Sequence, residues 1–393
     1  MEAKPKIAYV IGAKFPTNKA YGITSRETLE VLMDNGLQIR VFCKRSRYFD
    51  SDFKGLVEVI EYFPKSFLAS ALTKLGEFGI SRINQFFWKL GLVIDVVRSF
   101  HSIDSFKPNI IWVRDPMIAY FLVRRFKETR FILEVHEESK QFYYRKLIEY
   151  HHRIKFCPIS AKNKEFLLKV SPLFKIQMAP MGVRAENIVT KESCKNFLKT
   201  ITLRKGEHIS VAYVGKFAPG GYSKGINDLL KLAQLYSNMG AKKNVTLLGA
   251  NEVELKYYKN QAAKLSIKEN YLIIANHVKH SEVAENLKKF DVLVLPAYCS
   301  QKYNGMPIKL LEYLSSGKIT IVADSDLYRS LLLPEYYPFF YNPGDVFSLD
   351  RTINSALRSN VLEAKLIAGI DFASQHTWDV RTLNLISKDD TPA

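Results

Sequence analysis

Cysteine is scarce in this chain. Only Cys43, Cys157, Cys194 and Cys299 occur among 393 residues, scattered, with no CxxC and no Cys/His spacing. That excludes a disulfide framework and a structural zinc site, and it suits a reducing compartment, so a cytoplasmic protein is expected. Long hydrophobic runs are also missing. No stretch approaches the roughly 18–20 apolar residues that a bilayer-spanning helix needs. The apolar opening "IAYVIGA" is strand-sized and carries no cleavage signature, which argues against a signal peptide. Acidic residues are under-supplied: 39 Asp and Glu face 57 Lys and Arg, a net charge of +18. The imbalance is concentrated at residues 1–185, with 31 basic against 18 acidic side chains. Such a front half favours an anionic partner, either anionic lipid or a phosphate-bearing substrate. No aromatic-interleaved RNA motif and no arginine-rich tail is present, so no nucleic-acid partner is expected.

What is present is a rhythm. Strand-sized apolar runs at residues 6–12, 37–43, 108–115, 130–137, 155–160 and 175–183 alternate with helix-length segments, among them 25–36 and a helix opening at Pro116. A second set follows, with strands at 209–215, 244–249, 271–276, 291–297 and 318–324 and helices at 225–240, 252–265, 281–290 and 307–316. Strand–helix alternation is the pattern of a doubly wound parallel sheet, so the chain reads as an α/β protein of two Rossmann-like domains facing across a cleft that holds the ligand. The expected boundaries are a first domain at 1–185, a polar linker at 186–208, a second domain at 209–371 and a terminal helix at 372–393 crossing back to the first. Residues 62–106 break the rhythm. They are aromatic, helical in period and punctuated by Lys65, Lys74, Arg82, Lys89 and Arg98. They read either as an amphipathic helix on a membrane surface, with Phe86, Phe87 and Trp88 inserted, or as a helical insertion packed on the sheet.

Two stretches carry chemistry. In "NGMPIKLLEYLSSG" (304–317), Pro307 suits a first helical position and Gly305 permits close backbone approach, so the turn presents N–H groups and a positive dipole end to an anion. Glu312 sits on an otherwise apolar helix. It either reaches a ligand whose paired hydroxyls one carboxylate can accept, or pairs with Lys309 three residues earlier. In "YVGKFAPGGYSKGINDLL" (213–230), four glycines with Lys216 and Lys224 follow a strand and open a helix. That composition admits phosphate oxygens and supplies matching charge, without Walker A order.

In order along the chain, these stretches resemble the GT-B glycosyltransferases, specifically the retaining family four, also called glycosyl transferases group 1. Val214-Gly215-Lys216 and Lys224-Gly225 resemble the opening of that family's second domain, and Leu248-Gly249 its next strand end. "NGMPIKLLEYLSSGKITIV" resembles its signature, "IWVRD" and "LEVHE" its first-domain strands, and "TWDVRTLNLI" its terminal helix. The resemblance implies that Lys216 and Lys224 hold the donor diphosphate and that Glu312 accepts the ribose hydroxyls. It implies that Gly305, Met306, Pro307, Ile308 and Lys309 meet phosphate or sugar, that His277 and Val278 line the nucleobase slot beside Gly215 and Gly249, and that His136 reaches the donor sugar. Gly12, Lys14, Tyr21, Gly22 and Arg114 would lie on the acceptor side. Asn304 stands where the family has its first signature carboxylate. An amide cannot serve as nucleophile or base, which favours same-face attack with the departing diphosphate taking the acceptor's proton. The family implies no metal and no cofactor beyond the nucleotide-sugar donor, UDP- or GDP-linked. The implied function is a retaining, hexosyl-type transferase acting on a glycan, lipid-linked or polysaccharide acceptor, peripheral on the inner face of the cell membrane. A nucleotide-sugar epimerase of the same fold and an inactive partner subunit remain as alternatives.

Overall fold

The computed structural model describes residues 4–17, 19–46, 60–62, 82–203, 208–217, 225–297, 307–332 and 339–387. Two compact units emerge: Met1–Met181 together with Trp378–Ala393, and Gly182–Thr377.

The first unit is built on seven parallel strands: β1 (Lys6–Phe15), β2 (Gln38–Arg45), β3 (Ile60–Tyr62), β4 (Ile110–Val113), β5 (Arg130–Val135), β6 (Ile154–Pro158) and β7 (Lys175–Ile176). They lie in the order β3-β2-β1-β4-β5-β6-β7. Period-two side chains explain why both faces are covered. Ala8 and Val10 of β1 enter one apolar cluster, Ile7, Tyr9 and Ile11 the other. On the first face pack α2 (Arg82–Arg98), α3 (Phe100–Phe106), α4 (Pro116–Arg125), α5 (Gln141–Leu147) and α6 (Ala161–Val170). On the second face packs α1 (Ala20–Asp34), which meets the chain's last helix, Trp378–Ile386.

The second unit opens with α7 (Lys191–Leu203). Its six parallel strands are β8 (Ile209–Val214), β9 (Lys243–Ala250), β10 (Leu272–Asn276), β11 (Val292–Leu295), β12 (Ile319–Ala323) and β13 (Phe339–Tyr341). Their order is β10-β9-β8-β11-β12-β13. The helices are α8 (Ile226–Met239), α9 (Glu252–Lys264), α10 (Val283–Lys288), α11 (Ile308–Ser315), α12 (Asp326–Leu331), α13 (Val346–Leu357) and α14 (Leu362–Gln375). The last helix of the chain, α15 (Trp378–Ile386), belongs to the first unit. In each unit the winding reverses once, between β1 and β4 and between β8 and β11. Ligands of such sheets bind beyond the strand ends at that reversal.

The expected two Rossmann-like sheets are both present, and several details differ. The expected linker at 186–208 contains α7, which buries Cys194 and Ile201 in the second core and pairs Lys191 with Asp371 at 2.9 Å. Phe197 and Leu198 pack partly buried against the same core, so positions 194, 197, 198 and 201 form a helical stripe that the polar residues around it mask. Helix α1 begins at Ala20, not near residue 25, because its first turns bury Thr24 and Ser25 in place of apolar residues. Of the expected acceptor-side residues, Gly12 and Lys14 thus lie in β1 and Tyr21 and Gly22 in the first turn of α1. The strand expected at 175–183 is short, since only Lys175–Ile176 pair with β6. Residues 63–81 of the aromatic insertion, and the side chains of 82–88, lie outside the described residues. Further along it, Leu92, Val96, Ile103 and Phe106 are buried in the first core, so that part packs internally, while Phe86, Phe87 and Trp88 of the membrane reading fall among the side chains not described.

Candidate active site

In the first unit, a carboxylate is buried at the end of β5. Glu134 is 1% exposed in a strand whose other buried members are apolar. Its position is tolerable because four donors surround it. Trp112 Nε1 donates to Oε1 at 2.8 Å. Arg381 Nη2 stands 3.1 Å from Oε2, Arg114 Nε 3.5 Å and His136 Nε2 2.9 Å. Desolvation would raise the Glu134 carboxyl, but Arg381, Arg114 and His136 outweigh it and hold the group well below the usual carboxylate range.

Arg114 follows β4 and ties this cluster to α1. Its guanidinium donates to the Tyr21 carbonyl and Thr24 Oγ1, each at 2.8 Å, and to Ser25 Oγ at 3.0 Å. It also lies 2.9 Å from His136 Nε2. That nitrogen is therefore held between Glu134 and Arg114, whichever tautomer is present. Burial first, then the Arg114 charge, push the His136 imidazole down to about 4, so it is neutral at physiological pH. Arg381, on α15, donates from Nε to the Ala179 carbonyl at 3.4 Å and stacks over Trp378 at 5.5 Å. Of the expected residues, Arg114, Tyr21 and His136 come together here. Gly12 and Gly22 are packing requirements: a Cβ would meet Ile118 Cδ1 at 2.4 Å or the Thr17 carbonyl at 2.0 Å. Lys14 is exposed, and its carbonyl accepts from the Tyr21 hydroxyl at 2.9 Å.

In the second unit the reversal between β8 and β11 collects the other group. Gly215 ends β8 at φ +146°, a region L side chains rarely adopt, and a Cβ there would sit 2.0 Å from both Cε and Nζ of Lys309. The Lys309 ammonium therefore rests against the Gly215 backbone. Gly249 ends β9 at φ +132°, where a Cβ would meet the Gly215 carbonyl oxygen at 2.3 Å, so these two strand ends touch through bare backbone. His277 follows β10, its N–H donating to the Ala250 carbonyl at 2.9 Å, and Val278 packs on the core beside it. Burial first, then the charges of Lys216, Lys309 and His280, lower the His277 pKa. Two ammonium charges thus act on one imidazole, a concentration of positive charge suited to a polyanion.

Glu312 is 9% exposed on α11. The expected partner Lys309 is turned to Gly215, and the near neighbour is instead His280, with Nδ1 3.6 Å from the carboxylate. That exceeds hydrogen-bonding distance, and among the described residues no donor reaches the Glu312 oxygens. A nearly buried carboxylate thus keeps its acceptor capacity on the helix that also carries Lys309. Pro307 takes the N-cap position of α11 rather than its first helical position, and Ile308 opens the helix. Lys224, Asn304, Gly305 and Met306 lie outside the described residues.

Sequence reasoning missed Glu134, Arg381, Trp112, Thr24 and His280 as site members. One signal could have found Glu134: a lone carboxylate in an apolar strand is the same oddity that singled out Glu312. Among the described residues no three His, Cys, Asp or Glu side chains are placed to hold a metal ion. The Asp324-Ser325-Asp326 triplet is locally engaged, with Asp324 Oδ2 2.6 Å from Arg329 Nη2 and Ser325 capping α12.

Residues 195–370 match the family model of glycosyl transferases group 1. No protein of curated function matches the sequence. Sucrose-phosphate synthase from Thermosynechococcus elongatus is similar in structure, at 14% identity and a TM-score of 0.67, with 97% of each chain covered. A glycosyltransferase from Rickettsia africae is similar at 13% identity and a TM-score of 0.66, covering 97% of this chain and 96% of that one. Anabaena HepE in complex with UDP-glucose is similar at 13% identity and a TM-score of 0.64, covering 97% and 98%. At such identities the likeness is one of fold, and that fold is GT-B. The family match covers the second-unit part of the motif resemblance, from Val214 to Val322.

Proposed function

We infer that the chain, with a group 1 glycosyltransferase match across residues 195–370, moves a sugar from a nucleoside-diphosphate donor to a hydroxyl of a glycan or lipid-linked saccharide. The observation that carries this reading is the Glu312 carboxylate, 9% exposed and unsatisfied by donors among the described residues, on the helix that also carries Lys309. A ribose diol supplies the two donors that such a carboxylate accepts. A diphosphate supplies the negative charge that the lysines balance. The uridine nucleotide is the first choice, because HepE, of the same fold, is seen with UDP-glucose.

The chemistry follows from charge. Cleaving the sugar–phosphate bond builds negative charge on the diphosphate and positive charge on the anomeric carbon. Lys216, Lys309 and, by resemblance, Lys224 meet the first with groups already in place. His277 and Val278 flank the base, and the bare backbones of Gly215 and Gly249 leave room for close approach. With Asn304 in place of a carboxylate, no enzyme nucleophile stands at that position. The acceptor then attacks on the face the leaving group vacates, its proton passing to the diphosphate, and the configuration is retained. In the first unit His136, a neutral imidazole pinned by Glu134 and Arg114, serves as a hydrogen-bonding group toward a sugar hydroxyl. The experiment is a calorimetric binding screen of UDP, GDP, ADP and CMP, followed by product analysis with the matching labelled nucleotide sugar. Binding of one nucleoside diphosphate and transfer of label to a second molecule are expected. Absence of binding by all four would remove the donor site.

A further inference from the structure

A row of aromatic rings crosses from α5 to α4 on the first unit, remote in sequence from the 62–106 insertion. Phe142 meets Tyr143 edge-on at 5.3 Å, Tyr143 lies 6.2 Å from Tyr120, and Tyr120 lies 5.6 Å from Phe121. Cations stand over two of the rings. The Lys146 ammonium is 6.0 Å from the Phe142 ring and the Arg124 guanidinium 5.3 Å from the Tyr120 ring. The underside of both helices is anchored, with Leu122, Val123, Tyr144 and Leu147 fully buried. The upper side is not: Phe142 is 64% exposed. The nearby Asp115 is already engaged by Lys140 at 2.6 Å, and Arg145 has no carboxylate partner among the described residues.

An exposed phenyl ring leaves most of its burial energy unused, and Phe, unlike Tyr or Trp, has no polar handle to compensate in water. Its neighbours are long cationic side chains, whose stems lie along apolar surface while their heads meet anions. A glycan platform would set carboxylates and amides around the rings to accept sugar hydroxyls. This face offers cations instead. We propose that the α4–α5 face docks on an anionic phospholipid bilayer, with Phe142 entering the boundary between headgroups and acyl chains and Arg124, Arg145 and Lys146 meeting lipid phosphates. The charge complementarity extends to the whole front of the chain, with 31 basic against 18 acidic residues at 1–185. The proposal stands independently of the sugar-transfer reading.

The test is co-sedimentation of the full chain with phosphatidylcholine vesicles, with and without phosphatidylglycerol, at low and high salt. Binding only to the anionic vesicles, weakened by salt, is expected. Phe142→Ala should weaken it about fivefold or more, and Arg145→Glu with Lys146→Glu at least tenfold. These side chains are exposed, so circular dichroism should show unaltered folding. Equal binding to neutral vesicles, failure of the wild type to bind anionic ones, or full binding by Phe142→Ala would each overturn the proposal. So would undiminished capture of soluble dextran sulfate by a chain that leaves vesicles alone, which would mark a polysaccharide surface instead.

Discussion

Lowering the pH tests the cluster around Glu134 most directly. His136 Nε2 lies 2.9 Å from both Glu134 Oε2 and Arg114 Nη2, and Arg381 contributes a second guanidinium to the same carboxylate. A protonated imidazole would add a third cation to one anion in a largely buried place. Burial and Arg114 accordingly hold the His136 pKa at about 4, against an ordinary 6.5. At pH 6 about 99% of His136 is then neutral, where an ordinary histidine would be about a quarter neutral. The other charged groups facing this ring are Glu134 on β5 itself and Glu137 just after it. The energetic sign follows. Between pH 6.5 and 4 the unfolded chain binds a proton that the folded one refuses, so stability falls as pH falls. The slope is about 1.4 kcal/mol per pH unit, for a total near 3 kcal/mol, and the loss levels off below the folded value. The assay is nuclear magnetic resonance of the His136 ring, assigned by its loss in His136→Gln. Two units need not unfold together, so the ring titration reads the quantity more cleanly than a denaturation curve. A midpoint at or above 6 would refute the argument, because it would mean that Arg114 and the imidazole do not share this space.

Three further outcomes are expected. Glu134→Gln leaves Arg381 and Arg114 without their anion at 3.1 and 3.5 Å. It should cost about 3–5 kcal/mol, seen in calorimetry as a lowered first-unit transition at roughly 2–4 °C per kcal/mol; a loss under about 1 kcal/mol would show that the arginines find other partners. Gly215→Ala places a methyl on Lys309 and strains a φ of +146°. UDP affinity should fall about tenfold, with a further stability cost of roughly 1–3 kcal/mol, and unaltered affinity would separate Lys309 from the donor. Glu312→Gln removes a charge-assisted acceptor worth roughly 1.5–3 kcal/mol, so UDP binding should weaken by at least tenfold. If calorimetry shows the same affinity, His280 rather than a ribose is the partner of Glu312.

Much of this architecture was legible in the sequence, for a physical reason. Strands such as Ile209–Val214 and Val292–Leu295 are nearly or wholly buried, and continuous apolar runs announce them. Helix Lys191–Leu203 escaped because its stripe of Cys194, Phe197, Leu198 and Ile201 is narrow and set among lysines and small polar residues. The donor-side pieces were readable because Gly215, Lys216 and Glu312 each violate a local expectation. The Glu134 cluster was half readable. Arg114 and His136 were singled out, but Arg381 reaches Glu134 from 247 residues away in sequence, and only the three-dimensional fold makes that distance short. The Lys309 alternative for Glu312 fails for a related reason. Lys309 is adjacent on the helix, yet its ammonium is drawn to the bare backbone of Gly215, and His280 arrives from the loop after β10.

The discontinuity of the first unit has a consequence for how the protein is made. Its sheet is encoded by residue 181, but Trp378 and Arg381 come only after the whole second unit has been translated. Until then Glu134 lacks its nearer guanidinium and Leu385 is missing from the cluster around Tyr9 and Trp112. A nascent chain leaving the ribosome therefore carries a second unit able to fold at once and a first unit still waiting for its last helix, so maturation runs against the order of synthesis.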